Sequence, residues 1–315
     1  MKKWVITTLA LMLIPILIVN LRKNNDSRDL VIENSPLVVT SGNLQHIDLF
    51  SPEMNETIKV DVWTPNGYCK DVKYPVIYMH DGQNLFDANS TWNHQAWEID
   101  SVMGALLDAD SIKPAIIVGV YSVDTTRLSD LMPEKPLQYL TTDSIKTFID
   151  SYMCKGLYRA DEYLAFIVNT LRPVINENYS TDTTMQATSI MGSSMGGLIS
   201  IYGLCEYPEV FGAAGCLSTH WSGAINRNDD FPNAMRQYLI ESLPLSSVHQ
   251  LYMDCGDKTI DSVYIPYFHA MNALADSIGF DDGRLMTPFF PGHAHEERAW
   301  ASRVAEPLKF ILRKS

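Results

Sequence analysis

Residues 187–202 read A-T-S-I-M-G-S-S-M-G-G-L-I-S-I-Y. Within them, Gly192-Ser193-Ser194-Met195-Gly196 fits the pattern G-x-S-x-G with Ser194 at its centre. Ordinary glycine and serine usage gives such a match on the order of once in ten chains of this length, so the pattern alone decides little. Its setting decides more. Ala187–Met191 reads as a short buried strand, and Gly196–Tyr202 can open a helix. Strand, sharp turn and helix are what a nucleophile elbow requires, and the turn forces its serine into strained backbone angles. Small neighbours two residues to either side avoid a clash, which accounts for Gly192 and Gly196. The Ser194 hydroxyl then stands at a helix N-terminus, near the positive end of the dipole.

Similar punctuation continues on both sides. Pro75–Met79, Ala115–Tyr121, Gln186–Met191 and Ala213–Leu217 read as buried strands rich in β-branched residues, and Gln250–Met253 and Leu285–Phe290 follow. Helical patterns lie between them. Asp161–Ile175 carries an apolar stripe at helical spacing, Tyr264–Ile278 is less clearly amphipathic, and Glu296–Leu312 closes the chain. Strands alternating with helices predict an α/β fold with a mostly parallel central sheet covered on both faces. Upstream, Leu44–Phe50 and Thr57–Trp63 alternate like half-buried strands and are expected to form an opening hairpin. Residues 24–43 read as a linker. The stretch 122–160, with Pro133 and Pro136, fits no regular element and is expected to be an inserted cap beside a site.

The N-terminus has a separate character. Lys2-Lys3 precede an apolar run, Trp4–Val19, broken only by Thr7, Thr8 and Pro15, and Arg22, Lys23 and a polar stretch follow. A basic start and an apolar middle describe an export signal, although residues 17–21 lack the usual small-x-small cleavage site. An uncleaved anchor through residues 4–21 is the close alternative, because the run approaches the length of a membrane span. Residues 1–23 are thus expected to direct the chain out of the cytoplasm, to the periplasm, the cell exterior or a membrane surface.

The formal net charge is −13, and beyond residue 23 only 20 basic residues face 37 acidic ones. Such a body repels phosphate backbones, and no basic cluster offsets it, so nucleic acid is not an expected partner. The five cysteines, Cys69, Cys154, Cys205, Cys216 and Cys255, show no CxxC pair. They read as small core residues, with a Cys205–Cys216 disulfide as the alternative after export.

A serine nucleophile needs a base. His293 and His295 follow the last expected strand, in Pro291-Gly292-His293-Ala294-His295-Glu296-Glu297. The acid should follow the strand before it, where D-C-G-D-K-T-I-D (254–261) offers Asp254, Asp257 and Asp261. The order serine, acid, histidine is that of an α/β hydrolase. An oxyanion hole needs two backbone N–H donors. One is expected at Met195 and one in the loop His80-Asp81-Gly82-Gln83-Asn84. Asp81, Asn84, Asp87 and Asn89 lack the spacing of a calcium loop, so no metal and no cofactor is expected.

Several segments together resemble a known family. Y-M-H-D-G-Q-N-L-F-D (78–87), R-A-D-E-Y-L-A-F-I (159–167), G-S-S-M-G-G-L-I-S (192–200), L-S-T-H-W (217–221) and H-E-E-R-A-W (295–300) look like the putative esterase family, the esterase D-like branch of the α/β hydrolases. Feruloyl and acetylxylan esterases of carbohydrate esterase family 1 and enterochelin-type esterases belong to it. The resemblance covers roughly residues 45–312 and implies the α/β-hydrolase fold over residues 44–315. It makes Ser194 the nucleophile, His295 the base and Asp261 the acid, with Asp257 second. It points to the N–H groups of Gln83 and Met195 as the oxyanion hole. Asp81, Gly82, His220 and Trp221 are the expected pocket residues, with Trp92, Trp97 and Trp221 as stacking candidates.

The reading this supports is a serine esterase acting on acyl groups of carbohydrate or plant-derived substrates. A siderophore trilactone esterase or an acyltransferase would use the same parts. A carbohydrate-binding or adhesion module with a decayed site is the reading from another class.

Overall fold

In a computed structural model the chain divides into two units, Met1–Leu30 and Val31–Ser315. The structure describes residues 30–224, 227–244, 246–281 and 283–314. The expected export signal or anchor lies outside these residues. Among the described residues no helix is long and apolar enough to cross a membrane.

The strands of the second unit are β1 (Ile32–Asn34), β2 (Asn43–Ser51), β3 (Glu56–Thr64), β4 (Val76–His80), β5 (Ile116–Val120), β6 (Thr188–Ser193), β7 (Ala213–Leu217), β8 (Gln250–Met253), β9 (Cys255–Gly256), β10 (Leu285–Met286) and β11 (Phe289–Phe290). The helices are α1 (Ile99–Asp108), α2 (Arg127–Asp130), α3 (Asp143–Phe148), α4 (Ala160–Ala165), α5 (Arg172–Asn178), α6 (Met195–Glu206), α7 (Asp230–Ser242), α8 (Asp261–Ser277), α9 (Glu297–Ala301) and α10 (Ala305–Ile311). A nine-stranded sheet runs in the order β1-β2-β3-β5-β4-β6-β7-β8-β10. The pairs from β5 to β10 are parallel, and β1, β2 and β3 add antiparallel strands at one edge. The mostly parallel sheet is what the alternating pattern predicts, and the arrangement is the α/β-hydrolase fold that the resemblance implies.

Alternate residues of the central strands feed two cores. Val76 and Tyr78 of β4 join one cluster with Leu164, Leu198, Tyr238 and Phe268 of the helices. Ile77 and Met79 join another with Met103 of α1 and Leu308 of α10. Both faces are therefore covered, and this is why these strands read as unbroken apolar runs rather than alternating ones. The opening hairpin forms as β2 and β3, with Leu44 opposite Trp63 and Phe50 opposite Thr57.

Four expectations need correction. The linker does not extend to residue 43, since Ile32–Asn34 pairs with β2 and Thr40 donates two hydrogen bonds to the buried Asp100 carboxylate. Leu285–Phe290 is not one strand. Pro288 has no N–H to continue a ladder, so Leu285–Met286 pairs with β8 while Phe289–Phe290 pairs with β9. Glu296–Leu312 is not one helix either. It restarts at Ala305, which puts Pro307 in a first turn, where proline is tolerated. Residues 122–160 form short helical turns whose Leu131, Met132, Ile149 and Cys154 join the core. Of this expected cap, Asp124 and Arg127 reach the cleft described below.

Candidate active site

The parallel strands end on one side of the sheet, and the candidate residues gather there, as ligand sites do in open α/β sheets. Ser194 sits between β6 and α6 with φ 56° and ψ −120°, angles that an L-residue adopts at a cost. The surroundings hold it there. Its N–H donates to the Leu217 carbonyl at 2.9 Å, and its own carbonyl accepts from Leu198 N and His220 N, each at 3.1 Å. A Cβ on Gly192 would come within 2.9 Å of the Gly196 carbonyl carbon, so the turn closes only with glycine there. Ser193 is buried as the last residue of β6, whereas Ser194 is partly exposed.

The short β9–β11 pair sets histidine against acid. It aligns the loop after β9 with the loop after β11, so that Asp257 N and Lys258 N both donate to the His293 carbonyl. His295 Nδ1 then lies 2.6 Å from Asp261 Oδ1. The other carboxylate oxygen accepts from Ser218 Oγ at 2.6 Å and Gly256 N at 2.9 Å. Burial pushes the Asp261 carboxyl up, but the hydrogen bonds from His295, Ser218 and Gly256 outweigh it and hold it below its ordinary range. Asp257 instead accepts Gly292 N–H at 2.7 Å, and Asp254 lies buried against Arg303. Of the three candidate acids, Asp261 is the one joined to His295 by a hydrogen bond.

Behind Asp261 stands a dry polar network. Ser218 Oγ accepts from Arg303 Nη2 at 2.6 Å and from Trp300 Nε1 at 3.1 Å, and Arg303 forks onto Asp254. The His295 ring meets Trp300 and Tyr264 edge-on, with centroids 5.0 and 5.7 Å away.

Ser194 and His295 line one cavity of about 730 Å³ together with Asp81, Gln83, Arg127 and Trp92. Gln83 and Met195 lie in the first turns of short and long helical segments, Gly82–Asn84 and α6, where first-turn N–H groups lack intrahelical acceptors. Gly82 is buried and does not line the cavity, because it lies against β5, where a Cβ would come within 2.6 Å of the Gly119 carbonyl carbon. His220 and Trp221 are also absent from the lining. The tight turn after β7, with Ser218 at φ 41°, sends Trp221 into the core at 1% exposure and His220 onto the Tyr264 hydroxyl. Trp97 is buried but reaches the cavity wall, and Trp92 is 85% exposed at its rim. The sequence did not single out Arg127, Ser122 or Arg303, since an isolated buried arginine carries no periodic signal. All five cysteines are free, and among the described residues no cluster of His, Cys, Asp or Glu has metal-binding form.

Comparison with known proteins bears on the family and the fold. The family model for "Putative esterase" matches residues 51–258. A curated relative, an endo-1,4-beta-xylanase/feruloyl esterase from Xylanibacter ruminicola, is 25% identical over 83% of this chain, which spans 30% of that protein's length. Among solved structures, a ferulic acid esterase matches with TM-score 0.60 at 20% identity, covering 87% of this chain and 98% of its own. The enterobactin esterase from Shigella flexneri matches with TM-score 0.63 at 15% identity, covering 89% of this chain and 60% of its own. At these identities the structural likenesses establish the fold.

Proposed function

The chain belongs to the putative esterase family and is a carboxylic ester hydrolase, and from that premise we propose that Ser194, His295 and Asp261 are its catalytic triad. His295 Nε2 takes the Ser194 hydroxyl proton as Oγ bonds to the ester carbonyl carbon. The resulting oxyanion is held by the N–H groups of Gln83 and Met195. The C–O bond to the alcohol then breaks, His295 returns the proton to the leaving oxygen, and an acyl-Ser194 ester remains. Water, deprotonated by His295, releases the acid and restores the serine. Asp261 keeps the proton on Nδ1 and stabilises the imidazolium, but does not itself accept the proton. One observation carries this reading: the 2.6 Å His295–Asp261 contact opens onto the cavity that Ser194 also lines.

The substrate we propose is an acyl ester of a carbohydrate or plant-derived compound. An exposed indole at the rim and the side-chain amides of Asn93 and Gln95 in the wall suit a sugar or aromatic ring, and the Xylanibacter ruminicola relative is an endo-1,4-beta-xylanase/feruloyl esterase. We further propose export through the basic and apolar N-terminal run. The test is p-nitrophenyl acetate hydrolysis by wild type, Ser194→Ala and Ser193→Ala. Turnover lost in the first variant and kept in the second is expected, and equal rates for wild type and Ser194→Ala would sink the proposal. Feruloylated and acetylated xylan, run beside a ferric siderophore trilactone, then separates the substrate classes.

A further inference from the structure

The loop that carries Gln83 is bent in a way its own sequence does not favour. Asp81 has φ 56° and ψ 49°, a left-handed conformation for a residue with a side chain. Gly82 is pressed against Gly119 of β5. Something must hold this bend, and two polar side chains from outside the loop converge on it. Arg127 forks onto Asp81, with Nε on Oδ1 and Nη2 on Oδ2, both at 2.6 Å. Ser122 Oγ donates to Asp81 Oδ1 at 2.6 Å. Ser122 then clasps the Gln83 side chain at both ends. Its N–H donates to Gln83 Oε1 at 3.1 Å, and its Oγ accepts from Gln83 Nε2 at 2.8 Å.

We propose that Arg127, Asp81 and Ser122 form a clamp that fixes the Gln83 backbone N–H at the oxyanion position, with Arg127 as a positioning residue for ester hydrolysis. The inference rests on the triad reading above. The chemistry follows from preorganisation. An oxyanion donor acts only if it already points at the place where charge develops, and a displacement of about 1 Å can cost on the order of a hundredfold in rate. A two-point fork fixes both the distance and the plane of the Asp81 carboxylate. The carboxylate in turn orients Ser122, and the two-ended clasp on Gln83 leaves its side chain no freedom to drag the peptide out of line. Arg127 comes from the stretch that joins β5 to α3, so a residue outside the elbow, the base loop and the acid loop sets the geometry of the reaction.

The experiment compares wild type with Arg127→Met, Arg127→Lys and Ser122→Ala, all as the full chain, each checked for folding by its thermal melt. Hydrogen exchange is read on the peptide covering residues 80–86, and kcat and KM on p-nitrophenyl acetate. The inhibition constant of phenylboronic acid, which forms a tetrahedral adduct on a reactive serine, is read alongside. In Arg127→Met, faster exchange in 80–86 is expected, with kcat down roughly ten- to a hundredfold, KM within about twofold, and boronate affinity falling in parallel with kcat/KM. Ser122→Ala should show a smaller change in the same direction. Arg127→Lys, which keeps the charge without the fork, should recover only part of the rate. Unchanged exchange in folded Arg127→Met overturns the clamp whatever the activity. Faster exchange with kcat intact overturns its catalytic role, and a raised KM with kcat intact assigns Arg127 to substrate contact instead. If wild type shows no Ser194-dependent turnover, the triad reading fails, and the exchange result still decides the clamp.

Discussion

Two arginine–aspartate forks connect to the candidate site, and they are built alike but placed differently. Arg303 and Asp254 lie wholly inside, with side chains 1% and 0% exposed, and their fork steadies Ser218, which donates to Asp261. Arg127 and Asp81 lie in the cavity wall, with side chains 27% and 10% exposed, and their fork steadies Ser122, which clasps Gln83. In each case a serine just past a parallel strand links the fork to a candidate site residue, the buried Asp261 on one side and the cleft-lining Gln83 on the other. A dry fork cannot exchange its partner for water, so it belongs to the folding energetics. A fork at the wall can be partly resolvated, so its loss is felt more in geometry than in stability. What holds the proposed acid is thus separate from what holds the proposed oxyanion donor.

The largest effect is expected where the dry fork meets the chemistry. Asp261→Asn keeps the shape but offers His295 an amide donor or a neutral oxygen, which favours the wrong tautomer. A loss of about 10⁴ in kcat is expected in ester turnover. Asp257→Asn should stay within a few-fold of wild type, because that carboxylate serves Gly292 N–H. If the two variants exchange these outcomes, the acid is Asp257 and the link from the dry fork to catalysis disappears.

Removing the arginines compares the forks directly. Arg303→Met leaves Asp254 buried and uncompensated, and a loss of about 3–5 kcal/mol is expected in urea unfolding. Arg127→Met should lose about 1 kcal/mol or less, because the pair is partly wet and screened. Equal losses would make both forks structural and remove the distinction.

Acid should strain both sides through a matching pair of histidines. His80, beside Asp81, bonds the Tyr163 hydroxyl, and His220, beside the acid loop, bonds the Tyr264 hydroxyl. Burial lowers His80 to about 4, with Asp81 opposing and Arg127 assisting. Burial, helped by the positive potential of His295 and Arg127, lowers His220 to about 3. Each folded value lies below the ordinary histidine value of 6.5. The unfolded chain therefore binds protons first as pH falls. The stabilisation from neutral histidine is complete above about pH 6.5 and is lost toward the folded values, at about 1.4 kcal/mol per pH unit for each ring. Asp81 and Asp261 are depressed as well, Asp81 because Arg127 and Ser122 outweigh its burial, so their contribution holds above about pH 4 and fades only in stronger acid. Unfolding free energies measured from pH 7 to 4 should thus fall before Asp81 or Asp261 titrates, with Asp130, which burial raises to about 6, opposing part of the fall. His80→Gln and His220→Gln should each flatten part of that slope, and an unchanged slope would remove the histidines from the account.

These assignments explain what the sequence could and could not reveal. The elbow was legible because G-x-S-x-G is a local steric requirement, met within five residues. The parallel sheet was legible because strands covered on both faces must be apolar throughout. The acid remained open among Asp254, Asp257 and Asp261 on the residues alone. The choice depends on the β9–β11 pairing, which joins segments some 34 residues apart and consists of only four residues. Arg127, Ser122 and Arg303 bond to partners distant in the chain and leave no spacing to read. Trp221 was misplaced for a related reason: a single turn after β7 decides whether an indole faces the cleft or the core.

The smallest effect belongs to Trp92, which carries the contrast between buried and wet groups to its limit. Trp97 and Trp300 pack against each other with centroids 5.7 Å apart and are nearly buried, so they belong to the wall itself. Trp92 has 85% of its surface in solvent and buries little when the chain folds. Trp92→Ala should therefore change unfolding free energy by about 0.5 kcal/mol or less. Its contribution should emerge only when a ring large enough to cover it is bound. KM for a feruloylated oligosaccharide should rise roughly three- to tenfold, in keeping with about 1 kcal/mol of stacking, while KM for p-nitrophenyl acetate stays the same. A uniform rise in KM across both substrates would place Trp92 in the general shape of the cleft. No change in either would leave the rim indole without a part in recognition and move the search for the sugar or aryl site to the Asn93 and Gln95 side of the wall.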